Sequence, residues 1–171
     1  MKYGNATVPS QENINETWGN NYEMVLHMNE NSGTRLDSTT NDHDATPYAD
    51  TTVNNSGLVG NCIYLDGDTD HLETDAVSLG GTYTVEFWFN DSTRSGNDSY
   101  EYPFSMGNYD AANSHNTFIH EQDGTLYSRL DIAIASEPMD IAGDVVDGSW
   151  HYYACRVDNV ENWIHYFCQM G

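Results

Sequence analysis

The chain has 171 residues, 38% hydrophobic and 12% aromatic, with 27 acidic against 5 basic side chains and a formal net charge of −22. That length suits one domain. The aromatic content excludes a wholly disordered acidic tail, and the charge excludes nucleic acid or an anionic membrane as an electrostatic partner.

Asn, Asp, Thr, Ser and Gly are abundant while helix-favouring Lys, Arg and Ala are scarce, a balance that predicts short strands joined by many turns. Residues 1–21 are polar and Asn-rich, and read as a linker or the tail of a preceding domain. A domain is expected over 22–171. Its first predicted strand is Tyr22 to Met28, followed by a loop-like stretch from Asn29 to Val53. Strands follow at Asn61 to Leu65 and His71 to Thr74, separated by the acidic turn Asp66-Gly67-Asp68-Thr69-Asp70.

Tyr83 to Asn90 alternates, with Val85, Phe87 and Phe89 facing one way and Thr84, Glu86 and Trp88 the other. Pro103 to Asn108, Asn116 to Glu121 and Thr125 to Ala135 predict a meander, with Gln122-Asp123-Gly124 as a hairpin turn. Trp150 to Val157 and Trp163 to Phe167 read as a further antiparallel hairpin. Strands at this spacing point to a sandwich or barrel.

The dispersed acids and the single lysine, Lys2, point to a halophile's environment. Self-repulsion on this scale destabilises a compact state at low salt, and it is screened when the Debye length falls to ~3 Å near ~1 M salt. The three cysteines, Cys62, Cys155 and Cys168, are odd in number and lack zinc-ligand spacing; Cys155 and Cys168 are the pair expected on neighbouring strands. The sequence has neither an 18-residue apolar stretch nor a signal-peptide core, so no membrane insertion is expected. Sequons at Asn5, Asn15, Asn54, Asn90 and Asn97 fit an extracellular or cell-surface setting.

Four segments stand in a recognisable order: Leu26 to Gly33 with Asp37-Ser38; Gly60 to Asp70; Tyr83 to Trp88; and Gly148 to Ala154 running into Arg156-Val157-Asp158. Together they resemble the laminin-G-like, concanavalin A-like lectin/glucanase superfamily in its archaeal and bacterial surface-protein branch, over residues 22 to 171. Tyr3-Gly4-Asn5 with Trp18 also looks like the tail of a small β domain that precedes this module.

The resemblance implies an all-β fold, a two-sheet antiparallel jelly-roll sandwich. Family members continue past the position of Gly171 with further strands. The expectation is therefore a sheet lacking C-terminal strands: either the domain is trimmed, or the N-terminal segment fills the gap, or another chain does, and an unfilled edge would support a homodimer.

Among candidate sites, Asp66, Asp68 and Asp70 alternate on a Gly-containing turn and could converge on a hard cation, and the resemblance implies Ca2+ near this turn. Asn29, Glu30 and Asp37 are weaker candidate ligands. Tyr102, Tyr109 and Tyr127, on or near loops, are candidates for stacking on sugar rings. His151 reads as structural. The Glu-x-Asp-x-x-Glu motif of the superfamily's glucanases is missing: Glu86 is alone on its strand, and Glu137-Pro138-Met139-Asp140 has another spacing.

The expected function is a non-catalytic carbohydrate-binding or adhesion module whose partner is a glycan or another surface protein. A structural or protein-interaction module is the first alternative and a glucanase-like hydrolase the second.

Overall fold

The structure is a computed structural model that describes residues 17–19, 21–49, 51–54, 56–79, 82–92, 100–107, 114–120, 122–131 and 139–158. Among these, ten elements are named, all β-strands and all paired antiparallel. The chain is arranged as two compact units, Met1–Leu79 and Gly80–Gly171.

The first unit carries β1 (Ala45–Tyr48), β2 (Thr52–Asn54), β3 (Cys62–Tyr64) and β4 (His71–Thr74), with β1 paired to β4 and β2 to β3. Two sequence expectations fail here. Tyr22 to Met28 forms only a single bridge, Leu26 to Asp37, while the supposed loop from Asn29 to Val53 contains β1 and the start of β2. The side chains explain the first failure. Asp37 accepts hydrogen bonds from the Val25 amide (2.9 Å), the Thr39 amide (2.9 Å), the Thr39 hydroxyl (2.7 Å) and the His43 amide (3.0 Å). An Asp that satisfies backbone donors in this way competes with a strand ladder. Trp18 packs its ring against Tyr22 and His27 in this unit, at 5.1 and 5.5 Å between centroids.

The first two resembling segments meet in this unit. The Asn61 amide donates to Asn29 Oδ1 (2.9 Å), and Asn61 Nδ2 donates to the Asn29 carbonyl and to Asn31 Oδ1 (both 3.1 Å). Gly60 makes that approach feasible: its φ is +75°, and a Cβ there would lie 2.5 Å from Asn29 Oδ1. Gly60→Ala is therefore expected to cost ~2 kcal/mol, combining left-handed strain with loss of the Asn29 to Asn61 bond. A lower urea midpoint would report it, and an unchanged one would show that the asparagine clasp bears no load.

The second unit carries β5 (Thr82–Asn90), β6 (Tyr100–Met106), β7 (Ser114–His120), β8 (Thr125–Asp131), β9 (Met139–Asp144) and β10 (Trp150–Asp158). Strands β6 to β9 form the expected meander, with β9 as an unanticipated fourth strand. Gly124, at φ +74°, closes the β7–β8 hairpin where a turn was expected. Strand β10 pairs with β5 along nine residues, from Trp150 opposite Asn90 to Asp158 opposite Thr82. Its expected hairpin partner, Trp163 to Phe167, lies outside the described residues, as does Cys168; Cys155 is buried.

The alternation read in β5 holds residue by residue. Tyr83, Val85, Phe87 and Phe89 are partly buried, and Thr82, Thr84, Glu86, Trp88 and Asn90 are exposed. In β10 the inward residues are His151, Tyr153, Cys155 and Val157, placed opposite those of β5. The inner face of this pair packs on Ile119 of β7 and Leu126 of β8, with Val145, Ile141 and Val146 beside them. Two sheets burying one face each against a shared apolar core is the arrangement of a β-sandwich.

Candidate functional site

Strand β7 lies between β6 and β8 and is buried on both faces from Ser114 to Ile119. Period-2 alternation sends His115, Thr117 and Ile119 to the core side and Ser114, Asn116 and Phe118 to the other. Each side carries a distinct constellation.

On the core side, Tyr83 OH lies 3.3 Å from His115 Nδ1, His115 Nε2 lies 3.2 Å from Ser128 Oγ, and the Tyr153 hydroxyl donates to Ser128 Oγ at 3.2 Å. His115, Ser128 and Tyr153 are wholly buried. Burial holds the His115 imidazole down at about 4 and pushes the Tyr153 phenol far above its ordinary value. The Ser and His of this chain sit at nucleophile–base distance, but their burial leaves a substrate no approach, so the network serves to satisfy polar groups within the core. His151 is likewise structural: it is buried, its Nε2 lies 3.0 Å from Asp147 Oδ1, and its ring packs on Phe89.

On the outward side, three strands bring aromatic rings together. Phe118 stacks on Tyr127 (5.3 Å between centroids), meets Tyr100 edge-on (5.2 Å) and touches Tyr102 (5.8 Å), and Tyr100 also packs on His120 (5.2 Å). Phe118 is 3% exposed beneath this cover, whereas Tyr100 and Tyr102 are 46% and 43% exposed.

Local irregularity creates the patch. Tyr100 pairs opposite His120 and Glu101 opposite Ile119, then the register shifts before Phe104 meets Thr117. The shift lets Tyr100 and Tyr102 share the outward face while Phe104 turns inward onto His115, at 5.4 Å. Pro103 is tolerated because β6 is at the edge of the four-strand order. The same face carries Asn116, which accepts a 2.6 Å hydrogen bond from Ser105 Oγ, and Arg129, opposite Asn116 in register. At the hairpin end, His120 Nδ1 lies 3.2 Å from Asp123 Oδ1, and the Thr125 amide, with smaller help from His120, holds the Asp123 carboxyl below its ordinary value.

Tyr102 and Tyr127, expected on or near loops, belong to one patch on strands; Tyr109 lies outside the described residues. Tyr100 and Phe118 were missed. The spacing of Tyr100 and Tyr102 was a signal, but Pro103 obscured the strand that gives it meaning.

The acidic turn behaves differently. The Asp68 amide donates to Asp66 Oδ1 (3.0 Å), the Asp66 amide to Asp70 Oδ2 (3.3 Å), and Gly67 adopts φ +81°. Two of the three carboxylates therefore cap the turn's own backbone. Nearby, Asp42, Asp44, Glu73 and Asp75 line a cleft of about 410 Å3 with Tyr48 and three threonines. Among the described residues, no three His, Cys, Asp or Glu side chains are grouped to hold a metal ion. Asp37 is occupied as described: burial alone would raise its pKa, but the amides of Val25, Thr39 and His43 and the Thr39 hydroxyl outweigh that and lower it. Glu30 Oε1 accepts from the Leu36 amide (3.0 Å) and Asn29 holds Asn61.

Among the described residues, no helix is long and apolar enough to cross a membrane. No family model, curated protein or solved structure matches the chain.

Proposed function

We propose that this chain is a non-catalytic carbohydrate-binding module of a secreted or cell-surface protein from a halophile, built on a concanavalin A-like jelly roll. The observation that carries the reading is the patch of Tyr100, Tyr102, Phe118 and Tyr127, in which exposed phenol rings stand on a rigid sheet rather than on loops. Saccharide rings present an apolar C–H face that stacks on aromatic rings, and polar neighbours such as Arg129 and the Tyr hydroxyls fix orientation. A net charge of −22 disfavours polyanionic glycans, so the expected ligand is neutral.

A glycan array probed in 2 M KCl, with and without chelator, tests this. Binding to neutral glycans supports the reading, and its loss with chelator would support a Ca2+ role for Asp66, Asp68 and Asp70. Silence across the array would sink it. Combining Tyr100→Ala with Tyr102→Ala is expected to weaken binding at least tenfold, about 1.4 kcal/mol, since both rings stand on the solvent side of Phe118. Unchanged affinity would move the site elsewhere.

One observation favours a protein-interaction module instead. Val59 is 86% and Leu58 49% exposed, on a turn bounded by Gly57 and Gly60 and clasped by Asn61. A rigid apolar tip of this kind suits a partner's pocket. Sedimentation at high salt would also reveal a homodimer formed through an open sheet edge.

A further inference from the structure

The outward face of the β5–β10 pair carries a second aromatic constellation. Glu86 and Trp88 project from β5, and Tyr152 projects from β10 directly opposite Trp88. The Trp88 and Tyr152 rings lie 5.1 Å apart with a 45° tilt, and Trp88 is 48% exposed. The Tyr152 hydroxyl donates to Glu86 Oε2 at 2.6 Å. That bond fixes the carboxylate beside the indole.

We infer that this face is a second saccharide-binding site, so that one copy of the chain holds two glycan chains on opposite sides of its sandwich. The inference rests on the glycan-binding reading above and extends it from one site to two.

The placement follows from parity. Phe87, Phe89 and Tyr153 enter the shared core, so Glu86, Trp88 and Tyr152 point away from it. Ile119 and Leu126 enter the same core from the other sheet, so Phe118 and Tyr127 point away in the opposite sense. Sheets in a sandwich are ~10 Å apart, and ligands on their two outer faces do not collide.

The chemistry of the second face suits a pyranose. An exposed indole offers a flat stacking surface. A carboxylate has about four lone-pair positions, of which the Tyr152 hydroxyl occupies one, so Glu86 can accept hydrogen bonds from adjacent ring hydroxyls. The Glu86 charge, on a chain of net charge −22, disfavours an acidic sugar. Two sites on opposite faces turn a binder into a cross-linker, because each face can hold a different polymer chain.

The experiment uses the full chain in 2 M KCl with three neutral soluble probes: a galactomannan, a mixed-linkage β-glucan and amylopectin. Calorimetry with short oligosaccharides cut from whichever probe binds gives the number of sites per chain, and turbidity with the polymer reports cross-linking. The expected result is two sites and turbidity for the unmodified chain. One site and no turbidity are expected for Trp88→Ala and for the Tyr100→Ala, Tyr102→Ala double variant, and no binding when all three changes are combined. Glu86→Gln, which keeps the size and face of the side chain, is expected to weaken the second site at least fivefold with an unchanged melting temperature. A single site in the unmodified chain, insensitive to Trp88→Ala and Glu86→Gln, overturns the second site while leaving the first intact. Failure of all three probes to bind overturns both. Saturation of the Trp88 face by tetramethylammonium, with sugar binding unaffected, would reassign it as a cation site and overturn the inference.

Discussion

Lowering the pH from 7 to 4 is expected to remove about 3 kcal/mol of stability through one side chain, His115, whose imidazole titrates near 6.5 when unfolded and at about 4 in the fold. The cause is desolvation. His115 is fully buried, with Tyr83 OH at Nδ1, Ser128 Oγ at Nε2 and the Phe104 ring against it, and no carboxylate is among these contacts. The sign is fixed by proton counting. Between about pH 6.5 and 4 the unfolded chain binds a proton at this residue that the folded chain does not, so acid favours unfolding. The stabilisation is complete above 6.5 and falls as pH drops towards 4. The carboxylates add a separate effect of mixed sign: protonating them relieves self-repulsion in a chain of charge −22, whereas Asp37 and Asp123, held low in the fold, lose stability as they take up a proton. The two effects are separated by comparison with His115→Gln, which has no imidazole to charge. Urea unfolding of both proteins at pH 7, 5.5 and 4 in 2 M KCl should show the variant losing about 3 kcal/mol less than the unmodified chain. Parallel pH profiles would show that the imidazole is protonated without penalty.

The meander, the β5 alternation and the Gln122 to Gly124 turn were legible because each rests on a local rule: period-2 burial or a turn that needs positive φ. Strand β9 was not, since Met139-Asp140-Ile141-Ala142-Gly143-Asp144 has neither β-branched density nor strong alternation, and pairing with β8 supplies what the sequence lacks. Ala45 to Tyr48 was hidden among turn residues, although Ala45 is wholly buried. The site was legible in part. Tyr102 and Tyr127 could be chosen as exposed aromatics, but their convergence on Phe118 depends on pairing β7 between β6 and β8 and on one register shift. The meander was expected, but a register shift of that sort is not written in any window of the sequence. The Asp66 to Asp70 turn shows the converse: its pattern invited a cation, while local amides claim two of its three carboxylates.

Raising KCl from about 0.1 M to 2 M is expected to stabilise the chain by about 3 kcal/mol or more, a rise of roughly 6–12 °C in Tm at ~2–4 °C per kcal/mol for a protein of this size. The folded state concentrates 27 acidic and 5 basic side chains on two compact units, and the unfolded chain spreads them apart. Repulsion is therefore larger in the folded state, and screening relieves it preferentially. Salting-out acts in the same direction by strengthening apolar burial, so the anion series must be used to divide them. If charge is the cause, chloride and sulfate salts of potassium matched in ionic strength should give similar gains at low concentration. Most of the rise should also come below about 1 M, where the Debye length shrinks from ~10 Å to ~3 Å. A gain that appears only above 1 M and only with sulfate would assign the effect to salting-out. A flat profile would mean that the acidic surface carries no folding cost in dilute buffer, and the halophilic reading would fall with it. The glycan-binding experiments would then be repeated at low salt, since they depend on the fold being populated and not on a saline habitat.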